Sequence, residues 1–196
     1  MKELILIRHG KSPHAGERYI GRTDTPLTSR GYQQADWISN HLCKSVPDAV
    51  YVSPALRTRE TLRPFLNKHQ MDCVVEADLQ EIDFGLWEGM SFEEIQAQAP
   101  ELVTQWALNR MDFCFPGGER LEAFWKRVCR VGDVLASAPG ERVAAVTHGG
   151  VIRYLLCHYL GLGPEQHRMF QIDFGSITTL TLQDGFAVLK GLNDHE

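Results

Sequence analysis

The stretch Leu4-Ile5-Leu6-Ile7-Arg8-His9-Gly10 joins a short unbroken apolar run, the mark of a strand, to a guanidinium, an imidazole and a glycine at its exit. Similar runs stand at residues 49–52, 73–75 and 143–146, and most are followed by apolar residues at helical spacing. Strands alternating with helices predict an α/β protein, here a three-layer α/β/α sandwich. Thr28 is placed to cap a helix with Ala35, Ile38 and Leu42 on one face. Leu121, Phe124, Val128, Val131 and Leu135 mark a second helix, and Val151, Ile152, Leu155, Leu156 and Tyr159 a third. Runs at 177–183 and 186–190 flank Asp184-Gly185, a favoured pair for a tight hairpin, so the sheet should be mixed but mostly parallel.

Residues 84–118 interrupt this alternation. Gly85, Gly89, Pro100 and the 113–118 stretch surround a short helical part, which reads as a small cap inserted into a single domain spanning 1–196. No repeat, low-complexity tract or Ser/Gly-rich linker divides the chain.

Hydrophobic residues make up 43% and charged residues 23%, a globular balance. The net charge of −5 argues against nucleic acid and anionic membrane as partners, so an anion site must be small and focused. The first apolar run is too short for a signal peptide or a membrane span. Cys43, Cys73, Cys114, Cys129 and Cys157 are scattered and lack a C-x-x-C pair, which suits buried thiols in a reducing cytoplasm. No particular oligomeric state follows from the residues.

Arg8 and His9 follow the first strand, Ser53 and Arg57 the second, and His148-Gly149-Gly150 the run at 143–146. In open parallel sheets the ligand site lies beyond the carboxyl ends of the strands, so these residues should meet. Two arginines offer planar donor forks to phosphate oxygens, and glycines at a helix start let backbone amides approach an anion. One histidine could then attack phosphorus while the other stabilises developing charge. Glu81, among apolar neighbours that include Phe84 and Trp87, is the candidate proton donor, ahead of Asp83 and Glu88. The expected ligand is a small-molecule phosphate ester, with no cofactor and no metal: the histidines show no H-E-x-x-H or His-x-His spacing. Asp83-Phe84-Gly85 and Asp173-Phe174-Gly175 spell a kinase triplet without the motifs that should accompany it, and are taken as coincidences. Trp87, Trp106, Phe113 and Phe115 are core candidates, with Phe113 and Phe115 preferred as the lining for a flat substrate.

Arg8-His9-Gly10, Pro26-Leu27-Thr28 through Gly31, Ser53-Pro54 with Arg57 and Thr61, Glu81 through Gly89, and His148-Gly149-Gly150 together resemble, in order, the histidine phosphatase or phosphoglycerate mutase-like superfamily. The resemblance covers nearly the whole chain. It implies a phosphohistidine at His9, phosphoryl binding by Arg8, Arg57 and His148, and proton donation by Glu81. Within the superfamily the chain looks most like the α-ribazole-5′-phosphate phosphatases of cobalamin synthesis, through Gly21-Arg22-Thr23-Asp24, residues 53–61, Asp83-Phe84-Gly85 and Phe115-Pro116-Gly117-Gly118-Glu119. By that resemblance Arg22, Thr23 and Gly149 join the substrate-contact candidates, although Arg22, like Arg59, also reads as an ordinary surface charge. Broad-specificity and sugar-phosphate phosphatases share much of the pattern; a mutase or a noncatalytic phosphate-binding module on the same fold are rivals. Lys11, Ala15 and Arg120 depart from residues common in the superfamily: Glu or Gln, a phosphate-binding Asn, and Ser, respectively.

Overall fold

The computed structural model describes residues 1–108 and 110–195. Strands β1 (Lys2–Arg8), β2 (Ala49–Val52), β3 (Val74–Val75), β4 (Arg142–Thr147), β5 (Ile177–Gln183) and β6 (Phe186–Asp194) form a sheet in the order β3-β2-β4-β1-β5-β6. The first four of that order run parallel, while β5 and β6 are antiparallel additions at one edge. Helices α1 (Ser29–Cys43), α2 (Leu56–His69), α5 (Leu121–Ser137) and α6 (Gly149–Tyr159) flank the sheet, and α3 (Phe92–Gln98) and α4 (Pro100–Ala107) lie in the inserted segment.

Strand side chains alternate between faces, and here both faces are apolar. Leu4, Leu6, Val143 and Ala145 pack with Phe124, Val128 and Val131 of α5 and with Val151 and Leu155 of α6. Ile5, Ile7, Val50, Val52, Ala144 and Val146 pack with Ile38 and Leu42 of α1 and with Leu62 and Phe65 of α2. These are the three expected layers, and each fully buried aliphatic side chain contributes about 1.5–3 kcal/mol. Thr28 caps α1 by accepting from the Gly31 amide at 3.2 Å.

Three expectations change in detail. The run at 73–75 becomes the two-residue β3, whose Val74 and Val75 are exposed; at the sheet edge it pairs only with β2, and Cys73 stays outside it. β6 continues past residue 190 to Asp194, because the hairpin through Asp184 and Gly185, both at positive φ, keeps it paired with β5. The inserted segment holds two helices, not one: a Ser91/Glu94 capping box starts α3, and Pro100 at the first turn starts α4. The exits of β1, β2 and β4 lie side by side and bring Arg8, His9, Ser53 and His148 together.

Candidate active site

Backbone pairing holds His9 beyond the end of β1. Its N–H donates to the Thr147 carbonyl at 3.0 Å, and its own carbonyl accepts from the Gly175 amide at 3.0 Å. His9 Nδ1 lies 2.8 Å from the Gly10 carbonyl. Only an N–H can pair with a carbonyl, so Nδ1 carries the proton and Nε2 keeps its lone pair. Burial first, then the charges of Arg57 and Arg8, hold the His9 pKa well below 6.5, against a weaker opposing effect of the Gly10 carbonyl. The ring is therefore neutral and nucleophilic near neutral pH.

Arg8 donates from Nη1 to the Ile172 carbonyl at 2.5 Å, and its guanidinium carbon sits 3.4 Å from the centre of the Phe174 ring. Burial lowers its pKa to about 10, partly offset by Glu81, so it stays charged. Arg57, in the first turn of α2, is fully buried and donates to the Thr23 carbonyl at 2.9 Å, to the Gly21 carbonyl at 2.8 Å and to His148 Nδ1 at 3.2 Å. His148 Nε2 lies 2.8 Å from Ser53 Oγ, and its ring centre 5.2 Å from that of His9. Burial, then Arg57, His9 and Arg8, push its pKa well below 6.5. Both ring nitrogens of His148 are engaged by protein groups: Nδ1 accepts from Arg57, and Nε2 faces Ser53 Oγ.

Glu81 lines the same cavity, but not for the reason anticipated. Its carboxylate accepts from the Ile82 amide and the Gly150 amide, each at 3.0 Å, so backbone donors hold it; Trp87 packs instead against Phe115 and Trp106 in the core. The Gly150 amide is thus already used rather than left free for an anion. A Cβ on Gly150 would lie 2.3 Å from Glu81 Oε1 and force the carboxylate away from the Gly150 amide, while one on Gly149 would lie 3.1 Å from the Arg8 guanidinium carbon, a tight contact that a small shift of Arg8 relieves. The backbone leading to Glu81 is anchored by buried Arg127. Its Nε and Nη2 grip both Glu119 oxygens, at 2.7 and 2.9 Å, and the remaining donors reach the carbonyls of Asp78, Gln80 and Glu81.

Arg8, His9, Arg57 and Glu81 line one cavity of about 360 Å³. His148 contacts His9 and Arg57 and borders a smaller cleft that Arg22 and Glu81 also line. Arg22 and Thr23 do not line the main cavity: exposed Arg22 bonds Gln80 and lies 3.9 Å from Glu119, while Thr23 gives its carbonyl to Arg57 and its hydroxyl to Glu88. Arg59 is exposed. Phe113 and Phe115 are buried core, and the aromatic walls are Tyr19, Phe84, Phe92 and Phe174. The two Asp-Phe-Gly triplets are therefore structural parts of the site's surroundings: both phenylalanines line the cavity and Gly175 holds His9.

Ser12, Phe174 and Arg153 also line the cavity and were missed. Arg153 carried a usable signal, since it stands one helical turn beyond Gly149 on the same face; Phe174, in a loop before β5, carried none. Ala15 lines the main cavity and Lys11 a neighbouring one. Arg120 is the N-cap of α5 and makes no side-chain cap bond; its guanidinium donates to the Asp112 carbonyl. Among the described residues no group of three or more His, Cys, Asp or Glu could hold a metal ion, and no helix is long and apolar enough to cross a membrane.

The sequence profile of the Histidine phosphatase superfamily (branch 1) matches residues 4–195. The chain is 30% identical to Phosphoserine phosphatase 1 of Hydrogenobacter thermophilus, covering 98% of this chain and 92% of that protein. It is 29% identical to the Adenosylcobalamin/alpha-ribazole phosphatase of Escherichia coli, covering 97% and 95%. The crystal structure of the alpha-ribazole phosphatase from Shigella flexneri superposes with a TM-score of 0.90 at 28% identity, over 98% and 96% of the two chains. With a phosphoglycerate mutase-like sandwich in which Arg8, His9 and His148 at strand ends meet Arg57 from the start of α2, this chain belongs to the histidine phosphatase superfamily.

Proposed function

We propose that the chain is a phosphomonoesterase working through a phosphohistidine at His9. One observation carries this reading: a buried neutral imidazole whose Nδ1 proton is tied to the Gly10 carbonyl, leaving Nε2 with its lone pair, on a residue that lines a cavity together with Arg8 and Arg57. Nε2 attacks phosphorus in line, the N–P bond forms as the ester P–O bond breaks, and Glu81 protonates the departing alkoxide. Water then attacks the phosphohistidine, Glu81 takes its proton, and inorganic phosphate leaves with His9 neutral again. Arg8 and Arg57 offset the charge of the transferring group, and His148 beside them completes the phosphoryl site with the Gly149 end of α6. Thr23 acts through Arg57, and Arg22 borders the leaving-group side.

No metal enters this scheme, and five free thiols support a cytoplasmic setting. Similarity to the E. coli and Shigella proteins supports α-ribazole 5′-phosphate as substrate, with a role in cobalamin nucleotide-loop synthesis. A second reading, an ester that also bears a carboxylate, is favoured by the further arginines lining the cavity, Arg18 and Arg153. The test is sustained turnover of p-nitrophenyl phosphate in excess chelator. Release of many product molecules per chain is expected; a chain that binds phosphate without turnover would be a binding module, and loss of activity in chelator would remove metal independence.

A further inference from the structure

Gln34, half-buried on α1, does not line the reaction cavity, yet its side-chain amide touches two peptide groups that hold His9. Its Oε1 accepts from the Lys11 amide at 2.8 Å, and its Nε2 donates to the Phe174 carbonyl at 2.6 Å. One partner is an N–H and the other a carbonyl, so only one orientation of the Gln34 amide satisfies both. A peptide group is planar, with its N–H and C=O on opposite edges. The group whose N–H reaches Gln34 therefore presents the Gly10 carbonyl on its other edge, and that carbonyl takes the Nδ1 proton of His9. The group whose carbonyl reaches Gln34 presents the Gly175 amide, which donates to the His9 carbonyl at 3.0 Å. A single side chain thus stands behind both the ring and the main chain of the nucleophile.

This support matters because the backbone beside His9 is soft. A Cβ on Gly10 would lie 2.6 Å from the Gly31 carbonyl oxygen, and one on Gly175, at φ +72°, would lie 2.7 Å from Gln34 Cβ. Close packing selects glycine at both positions, and glycine leaves φ and ψ free. The direction of the Gly10 carbonyl is then set by whatever holds its peptide group. Thr61 Oγ1 accepts from the Gly10 amide at 2.9 Å, but that amide belongs to the preceding peptide group and is separated from the carbonyl by the soft Gly10 dihedrals. A purely structural role, in which Gln34 only satisfies two loop ends, accounts for the bonds but leaves unexplained why both lead to His9.

We propose that Gln34 is a positioning residue for the nucleophile: it aims the Gly10 carbonyl at Nδ1 of His9 and so keeps the attacking lone pair on Nε2. Without it the carbonyl turns away and the proton is shared between the ring nitrogens. A neutral ring protonated at Nε2 has no lone pair there to attack phosphorus. The proposal rests on the phosphohistidine reading of the site, since the tautomer matters to turnover only if His9 attacks.

The tautomer is read without substrate from long-range ¹H–¹⁵N correlations of the histidine rings, with the His9 signals assigned by their absence in His9→Ala. The parent should show one neutral tautomer, protonated at Nδ1. Gln34→Met and Gln34→Ala should each show protonation at Nε2 as well, and should lose about tenfold or more in kcat/KM on p-nitrophenyl phosphate and on an alkyl phosphate alike. Gln34→Glu can keep the Lys11 bond but sets an oxygen against the Phe174 carbonyl, and should fall between the parent and Gln34→Met. A lowered Tm with parental His9 signals and kcat/KM within about twofold of the parent would reduce Gln34 to a structural residue and overturn the proposal. So would a parent ring already protonated at Nε2, or rate losses with an unchanged tautomer. If the parent turns over no ester, the phosphatase reading fails by itself, and the ring signals of the Gln34 variants still decide whether Gln34 sets the tautomer.

Discussion

Arg57 donates from Nη2 to Nδ1 of His148 across 3.2 Å, and because a guanidinium can only donate, this contact sets the imidazole's tautomer. The ring proton is on Nε2, facing Ser53 Oγ at 2.8 Å. For Nδ1 to serve an anion as a donor, His148 must gain a proton. A bound tetrahedral dianion offsets the arginine charges that, after burial, disfavour that proton. Binding of sulfate, which does not titrate near neutrality, should therefore be accompanied by proton uptake at about pH 6.5. Calorimetry in buffers of different ionisation enthalpy measures it; uptake should be reduced in His148→Gln, and uptake of zero in the parent would contradict this coupling.

His9 and His148 also tie stability to pH. Both have folded pKa values depressed below 6.5, so beneath that pH the unfolded chain binds more protons than the folded one. The stabilisation is present above pH 6.5 and is lost progressively as pH falls from there towards the lower folded pKa values. The slope can reach about 1.4 kcal/mol per pH unit for each histidine. Urea unfolding midpoints should fall between about pH 7 and pH 5.5, less steeply in His9→Ala. A flat or rising stability over that window would show that the rings are not held neutral.

Arg127 and Glu119 position Glu81 from behind. Arg127→Met frees the carbonyls of Asp78, Gln80 and Glu81 and leaves Glu119 unpaired, and losing one partner of a buried pair costs about 3–5 kcal/mol. The catalytic effect should follow the leaving group: a fall of about 10–100-fold on an alkyl phosphate and a much smaller one on p-nitrophenyl phosphate, in parallel with Glu81→Gln. Adding Arg127→Met to Glu81→Gln should lower the rate little further. Additive losses in that cycle would mean that Arg127 does not act through Glu81.

The strands and the convergence of Arg8, His9, Arg57 and His148 were readable because each rests on a local pattern. Leu4 to Ile7 and residues 143–146 are apolar on both faces, which only a covered central strand explains, and residues at the exits of neighbouring parallel strands must converge. The cavity walls were not readable, because they depend on which aromatics of the loops and of the inserted segment face the cavity. Phe113 and Phe115 vanish into the core, while Phe84 and Phe174 face the cavity from motifs set aside as coincidence. The hydrogen bonds of Glu81 and His148 escaped for the same reason: their partners, the Gly150 amide and the Arg57 guanidinium, are distant in sequence and are chosen by packing.

Arg120 offers a test unconnected with catalysis. It is the N-cap of α5 in an extended conformation but makes no cap bond. Arg120→Ser should supply one and stabilise the chain by about 0.5–1 kcal/mol, read as a rise in Tm, unless loss of the exposed bond to the Asp112 carbonyl outweighs it. A fall in Tm would mean that the Asp112 contact dominates.

The most direct measurement is identification of the phosphorylated residue during turnover. Rapid mixing with a slow alkyl phosphate ester, alkaline quench and peptide mass spectrometry should find the phosphoryl group on the His9 peptide, with ³¹P spectra assigning it to Nε2. His9→Ala should lack both the adduct and turnover. A phosphoryl group on any other residue, or near-parental turnover by His9→Ala, would contradict the account.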